Sequence, residues 1–382
     1  MELNDSERPE RMIGNMIEVY GHGGDRETAA ATFGGAAADF VDFSANINPL
    51  GPPPEVLEVL QSALDTVIRY PDPGHRNFKN MLARRLHVPP ESLSIGNGAA
   101  ESMALLLLGL APKRVGTVEP CFSEYAELAG KFGAEVSSVY GKASLQWKAD
   151  VEDILQLMEQ VDVLFLGQPN NPNGVQYGDQ ELRELAEAAG TTGTVLVVDE
   201  AFIDFIPQER QISLLPVLDR YPHVILIRSM TKFYAIPGLR LGYAVAHPDY
   251  IRRMTAKQVT WSVNGLALLA GEACLRSGEA YERRTQKLIA TERNRLLTAL
   301  AEWGYGVIPG EANYVLARTP GTWSASAIQQ ALGQRGILIR SCAMYPGLTT
   351  SHFRIAVKDA EANGMLLSVL GEVLEEERRR DS

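Results

Sequence analysis

The strongest pattern along the chain is a succession of short, continuously apolar runs separated by stretches with helical spacing. KRVGTVEP, VDVLFLG, TGTVLVVDE, YPHVILIRS and LGYAVA read as strands, and several are apolar on both faces. Such runs suit a parallel sheet buried between two helix layers, so an α/β region is expected over roughly residues 50–255. Before it, HGGDRETAAATFGG holds a short helical pattern between glycines. DFSANINPLGPPPEV reads as an extended segment, a turn and a helix start, because its prolines exclude a continuous helix. In PPESLSIGNGAAESMALLLLGLAP, Gly96 and Gly98 lead into an apolar helix.

After Asp249 the pattern changes. A mostly helical stretch, including GLALLAGEACL and YERRTQKLIATERNRLLTALAEW, precedes the strand candidates ANYVLAR, GILIR and HFRIAV, with a helix near residues 323–335. The expected organisation is an N-terminal arm (1–50), a large domain with a mostly parallel sheet (51–275) and a smaller α+β domain (276–382) that the arm helps to complete. There is no sequence repeat.

Composition narrows the function classes. A chain of 382 residues, 45% hydrophobic, is ample for a core split between two domains. The opening MELNDSERPERMIGNM is polar, unlike a secretory signal, and the apolar runs are too short to span a bilayer, so an intracellular soluble protein is expected. A formal charge of -11 argues against a nucleic-acid footprint but leaves room for a local basic pocket. Cys121, Cys274 and Cys342 are far apart without paired ligand spacing; structural thiols are expected, with neither a disulfide framework nor a metal site.

The candidate chemistry sits where apolar strands end. RSMTKFYAIPGLRLGY follows one of them and holds Ser229, Thr231, Lys232 and Arg240. At a strand's carboxyl end a lysine can form a Schiff base while hydroxyls and an arginine hold a phosphate; the same segment also reads as a plain surface turn. SIGNGAAES is a second anion signal, since Gly98 and Ala99 allow close backbone approach at a helix start. It is no dinucleotide fingerprint, because Glu101 stands where the last glycine or alanine is needed. Asp199 ends the run VLVVD, where a carboxylate needs a partner: a protonated pyridine nitrogen would serve, and so would a helix N-terminus. Glu200 and Asp204 read as structural or solvent-facing. Asn171-Pro172-Asn173-Gly174 is either a simple turn or a source of amides for a cofactor oxygen. Phe122 is core or a ring that stacks on the cofactor, and Cys121 is packing.

Taken in order, Asn171-Pro172-Asn173-Gly174, Asp199-Glu200-Ala201-Phe202, Ser229-Met230-Thr231-Lys232 and Arg240 resemble the motifs of the fold-type-I pyridoxal-phosphate enzymes, the aspartate-aminotransferase superfamily, over about residues 20–375. The resemblance implies pyridoxal 5'-phosphate as cofactor, carried by Lys232, which also moves the substrate proton. It implies a phosphate cup of Ser229, Thr231, Arg240, Gly98 and Ala99, with Asn171 on the ring oxygen, Asp199 on the ring nitrogen and Phe122 stacked on the ring. Arg354 resembles the arginine that pairs with the substrate α-carboxylate. Many relatives carry tyrosine where this chain has Phe202, which removes one hydrogen bond to the ring oxygen.

Within the superfamily, His22-Gly23-Gly24, DFSANINPLGPP, GNGAAES, DEAFIDF, TKFYAIPGLRLGY and RSCAMYPGL are similar to the L-threonine-O-3-phosphate decarboxylases of cobalamin biosynthesis. That likeness makes His22 and Asn46 the N-terminal wall of the substrate pocket and Arg340 a contact for the substrate phosphate. Read alone, these are a capped helix, an ordered loop and a surface arginine. The implied reaction is decarboxylation of L-threonine O-3-phosphate to (R)-1-aminopropan-2-ol O-phosphate, in a cytoplasmic homodimer. The alternative is histidinol-phosphate-type transamination. A non-catalytic binding protein is disfavoured by the presence of both Lys232 and Asp199.

Overall fold

The computed structural model describes residues 23–380. The N-terminal arm holds α1 (Arg26–Phe33), capped by the Asp25 carboxylate on the Thr28 amide, and the two-residue strand β1 (Val41–Asp42). Pro54 opens α2 (Pro54–Ser62), and α3 (Arg76–Leu86) follows, burying Phe78 and Leu82.

The large sheet is then laid down by β2 (Leu93–Gly96), β3 (Arg114–Glu119), β4 (Glu135–Tyr140), β5 (Val163–Gly167), β6 (Val195–Asp199), β7 (Val224–Ser229) and β8 (Gly242–Ala246). Between them run α4 (Ala99–Leu110), α5 (Glu124–Lys131), α6 (Val151–Met158), α7 (Asp179–Thr192) and the short α8 (Met230–Phe233). The spatial order is β2-β8-β7-β6-β5-β3-β4, with β8 antiparallel to both its neighbours and the other pairings parallel. Its apolar runs alternate between two cores. Phe165, Val197 and Ile225 join one cluster, while Leu164, Val198 and Leu226 join the other, as expected of a sheet covered on both faces.

The run that escaped the apolar pattern is β4. Its EVSSVY sequence lies at the sheet edge, where no residue is fully buried and no apolar run is required.

Beyond α9 (Pro248–Thr255), α10 (Gly265–Glu302) is 38 residues long and breaks at Gly278, whose φ of 70° lies outside the helical region. Next come β9 (Gly306–Val307), β10 (Tyr314–Arg318), α11 (Ala325–Gly333), β11 (Ile337–Leu338), β12 (Arg340–Ser341), β13 (His352–Ala356) and α12 (Ala360–Arg380). The second sheet is antiparallel in the order β12-β13-β10-β9, and β1 of the arm pairs in parallel with β11. Among the described residues, no helix is long and apolar enough to cross a membrane.

Candidate active site

The topology explains why residues far apart in sequence meet. β2, β3, β5, β6 and β7 all point the same way, so Gly98, Phe122, Asn171, Asp199 and Lys232 emerge along one edge of the sheet. Arg240 joins them because β8 runs the other way and begins there. The register makes this concrete: Gly242 opposes both Gly96 and Ser229, and Asp199 opposes Gly167. A cavity of about 280 Å³ opens at this edge, the usual place for a ligand on an open α/β sheet.

One end of the cavity is built for an anion. Ser229 caps α8 and its hydroxyl lies 2.7 Å from that of Thr231. The first turn of α4 has no side-chain cap, so its N–H groups remain available. Gly98 has a φ of 84°, and a Cβ there would stand 2.6 Å from the Arg240 guanidinium. A Cβ on Gly242 would stand 2.5 Å from the Ala99 amide, so that glycine is required for β8 to approach this turn. Lys232 follows on α8, its carbonyl accepting from the Asn48 amide at 3.1 Å. The Asn48 side chain donates to the Phe233 carbonyl at 2.7 Å and to Thr285 Oγ1 at 2.9 Å, which ties the lysine helix to α10. Burial, then the nearby charges of Arg354 and Arg240, pull the Lys232 pKa down to about 8.

In the middle of the cavity, Asp199 is 8% exposed. Its carboxylate accepts from the Tyr125 hydroxyl at 2.6 Å and from the Ala201 amide at 3.0 Å. Burial raises its pKa to about 6 even though both hydrogen bonds favour the charged form. Tyr125 is clamped in turn, stacked on Phe165 with ring centroids 4.9 Å apart and meeting Phe122 edge-on at 5.7 Å. Phe202 lines the cavity and packs edge-on against Tyr314 at 5.0 Å.

The far end is cationic. Arg354 and Arg340 are buried, 6% and 2% exposed, and stand directly opposite one another across the β12–β13 pair. Arg354 donates to Asn171 Oδ1 and to the Ser44 carbonyl at 3.0 Å, with Tyr314 beneath its guanidinium. Asn171 lines the cavity, and its Oδ1 is taken by Arg354. Arg340 Nη2 lies 3.0 Å from Met344 Sδ. Asn46 is 4% exposed, and its Oδ1 meets no hydrogen-bonding partner among the described residues. His22 lies outside the described residues; its neighbour Gly23 lines the cavity, where a Cβ would collide with the Ser44 carbonyl.

Glu200 is fully buried and pairs with Arg228 at 2.8 Å, a structural role. Cys121 is packed at 2% exposure and burial raises its pKa well above the usual thiol range, which suits an inert residue. Sequence reasoning missed Tyr125 and Tyr345, which also line the cavity. Tyr125 left one signal: it falls three residues after Phe122, on the same face of a helix start.

Comparison with known proteins adds a family frame. The family model for aminotransferases of class I and II matches residues 38–370. A threonine-phosphate decarboxylase of Salmonella typhimurium is 40% identical over 92% of this chain and 96% of its own. A histidinol-phosphate aminotransferase of Symbiobacterium thermophilum is 34% identical over 88% of this chain and 91% of its own. Among solved structures, the histidinol-phosphate aminotransferase of Clostridium acetobutylicum superposes with a TM-score of 0.82 at 30% identity, covering 87% of this chain and 99% of its own.

Proposed function

Because the chain belongs to the class I and II aminotransferase family, we propose that it is a carboxy-lyase that converts L-threonine O-3-phosphate to (R)-1-aminopropan-2-ol O-phosphate and carbon dioxide. The cofactor is pyridoxal 5'-phosphate, and the residues present fit it. The uncapped α4 turn, the Gly98 cradle that a Cβ would fill, Ser229, Thr231 and Arg240 suit its phosphate. Asp199, a buried carboxylate with no cationic partner among the described residues, suits its ring nitrogen. Lys232 is the covalent anchor, Asn171 faces the ring oxygen and Phe122 covers the ring.

When bound, the cofactor supplies an electron sink for the pair left on Cα as its bond to the carboxylate breaks. The protein's part is to choose that bond and to manage the proton. Arg354, held by Asn171 and Ser44, binds the α-carboxylate through its fork of donors. Arg340, with Asn46 and His22 on the arm side, binds the substrate phosphate. Fixing both ends limits rotation about Cα, which decides the bond presented to the ring. Lys232 Nζ, with its pKa lowered to about 8, gives up and takes back a proton near neutrality, and it returns one to Cα as carbon dioxide leaves.

The observation that carries this reading is the pair Arg340 and Arg354, buried and facing one another. Two like charges opposite one another are unfavourable alone, and a substrate with two separate acidic groups neutralises them. On this reading the large domain (51–275) carries the cofactor, while the small domain (276–382) and the arm (1–50) carry the substrate's acidic groups. The enzyme is a cytoplasmic homodimer of cobalamin biosynthesis. The stacked pair Tyr70 and Trp261, with Ile68 84% and Val259 74% exposed, supports a covered apolar face. Sedimentation at the mass of one chain would count against the dimer.

The test of the reaction is incubation of the cofactor-loaded enzyme with L-threonine O-3-phosphate and no keto acid. The expected products are carbon dioxide and aminopropanol phosphate in equal amounts. Product that appears only after 2-oxoglutarate is added would assign the chain to histidinol-phosphate-type transamination instead.

A further inference from the structure

A second cavity, of about 500 Å³, lies behind the lysine helix. Met230 and Phe233 of α8 line it, while Thr231 and Lys232 of the same helix line the first cavity. Its remaining walls come from α3, the segment after β6, β7 and the first half of α10, through Arg85, Asp204, Arg228 and Glu282. The reaction assigned above uses none of these residues.

The charged groups here are not balanced. Arg228 is committed to Glu200 at 2.8 Å, and Arg85, at the exposed mouth, pairs with Glu282 at 2.5 Å. That leaves Asp204. Its nearest cation is Arg228 Nη1 at 4.0 Å, beyond hydrogen-bond reach, and its carboxylate makes no hydrogen bond with any described residue. Asp204 is half-buried, with 31% of its side chain open, and it lines the cavity. Burial pushes its pKa up, which is the cost of a carboxylate without a full partner.

Tyr234 points to the same missing group independently. It is 7% exposed and lines the cavity, and its hydroxyl, which makes no hydrogen bond with any described residue, is open rather than sealed in the core. A hydroxyl left open on a cavity wall is free to bond a ligand there. The charges of Asp204 and Glu282 both act on this hydroxyl. Phe233 packs edge-on to the Tyr234 ring at 5.1 Å, so the site offers aromatic surface beside acceptor oxygens.

Asp204 and Glu282 line the cavity together with the guanidinium groups of Arg85 and Arg228 and with His87, while Glu200 is buried against Arg228, so three carboxylates stand against two guanidinium groups around an unpartnered hydroxyl. We propose that this second cavity is a binding site for a small organic cation with N–H donors, of the ammonium or guanidinium class, with Asp204 as its counter-ion and Tyr234 as a further acceptor.

The probe is methylguanidinium chloride, titrated calorimetrically into the cofactor-loaded enzyme at fixed ionic strength. The expected result is one saturable site per chain. Its affinity falls at least about tenfold in Asp204→Asn and by a smaller factor in Tyr234→Phe, a gentle change that keeps the ring packing. Absence of saturable binding in the unaltered enzyme overturns the proposal. Equal affinity in Asp204→Asn does so as well. None of these outcomes depends on which reaction the first cavity performs.

Discussion

Arg340 and Arg354 occupy directly opposed positions on β12 and β13, and both guanidinium groups are almost wholly removed from solvent. Arg354 is directed by the oxygens of Asn171 and Ser44, whereas Arg340 lies against Tyr345 and Met344. These different surroundings go with different expected roles. Arg354→Gln is expected to lower kcat/KM by about 30- to 1000-fold, the loss of a buried charge-assisted pair, for phosphorylated and unphosphorylated substrates alike. Arg340→Gln is expected to lose a similar factor for L-threonine O-3-phosphate and little for L-threonine. Steady-state kinetics on the two substrates checks both, and equal losses on both substrates in Arg340→Gln would remove it from the phosphate site.

Lys232 must be neutral to capture the cofactor aldehyde. A pKa of about 8 leaves about a tenth of the amine neutral at pH 7, far more than an ordinary lysine with a pKa near 10.4. The rate of cofactor capture by the cofactor-free protein is expected to rise with pH and level off above about 8. The charge of Arg354 lowers this pKa, so in Arg354→Gln the plateau moves to higher pH. Stopped-flow absorbance across pH reads both.

Asp199 has the opposite requirement. It pairs with a ring N–H only when ionised, and its pKa in the cofactor-free protein is raised to about 6. Cofactor affinity is therefore expected to fall as pH drops through 6. The Tyr125 hydrogen bond holds that pKa down, so Tyr125→Phe is expected to move this limb upward by about one pH unit, the worth of a hydrogen bond to a charged group. Equilibrium titration of the cofactor at several pH values measures it; an unmoved limb would make Tyr125 merely structural.

Gly98→Ala tests the phosphate cradle. A Cβ at a φ of 84° is strained and would stand 2.6 Å from Arg240 Nη2. Cofactor affinity is expected to fall at least about tenfold with the circular-dichroism spectrum retained.

Most of this site was legible because its residues sit at the ends of continuously apolar strands, where the alternation of elements announces a ligand edge. Asp199 and Lys232 stood out for that reason. Tyr125 did not, since its role depends on Phe165 and Asp199 from two other strands, contacts that no local pattern encodes. The β4 strand was invisible because an edge strand needs no apolar run. The second cavity was equally hidden: Asp204 reads as a solvent-facing acid, and only packing sets it beside Tyr234 and Glu282.

The central claim is which bond at Cα breaks, and doubly labelled substrate measures it directly. L-threonine O-3-phosphate carrying carbon-13 in the carboxylate and deuterium on Cα is supplied in ordinary water, and the products are read by mass spectrometry. Decarboxylation releases labelled carbon dioxide and leaves the deuterium on the aminopropanol phosphate. Retention of carbon-13 in the organic product with deuterium lost to water would mean that the Cα–H bond breaks instead, and the assignment as a carboxy-lyase would be wrong.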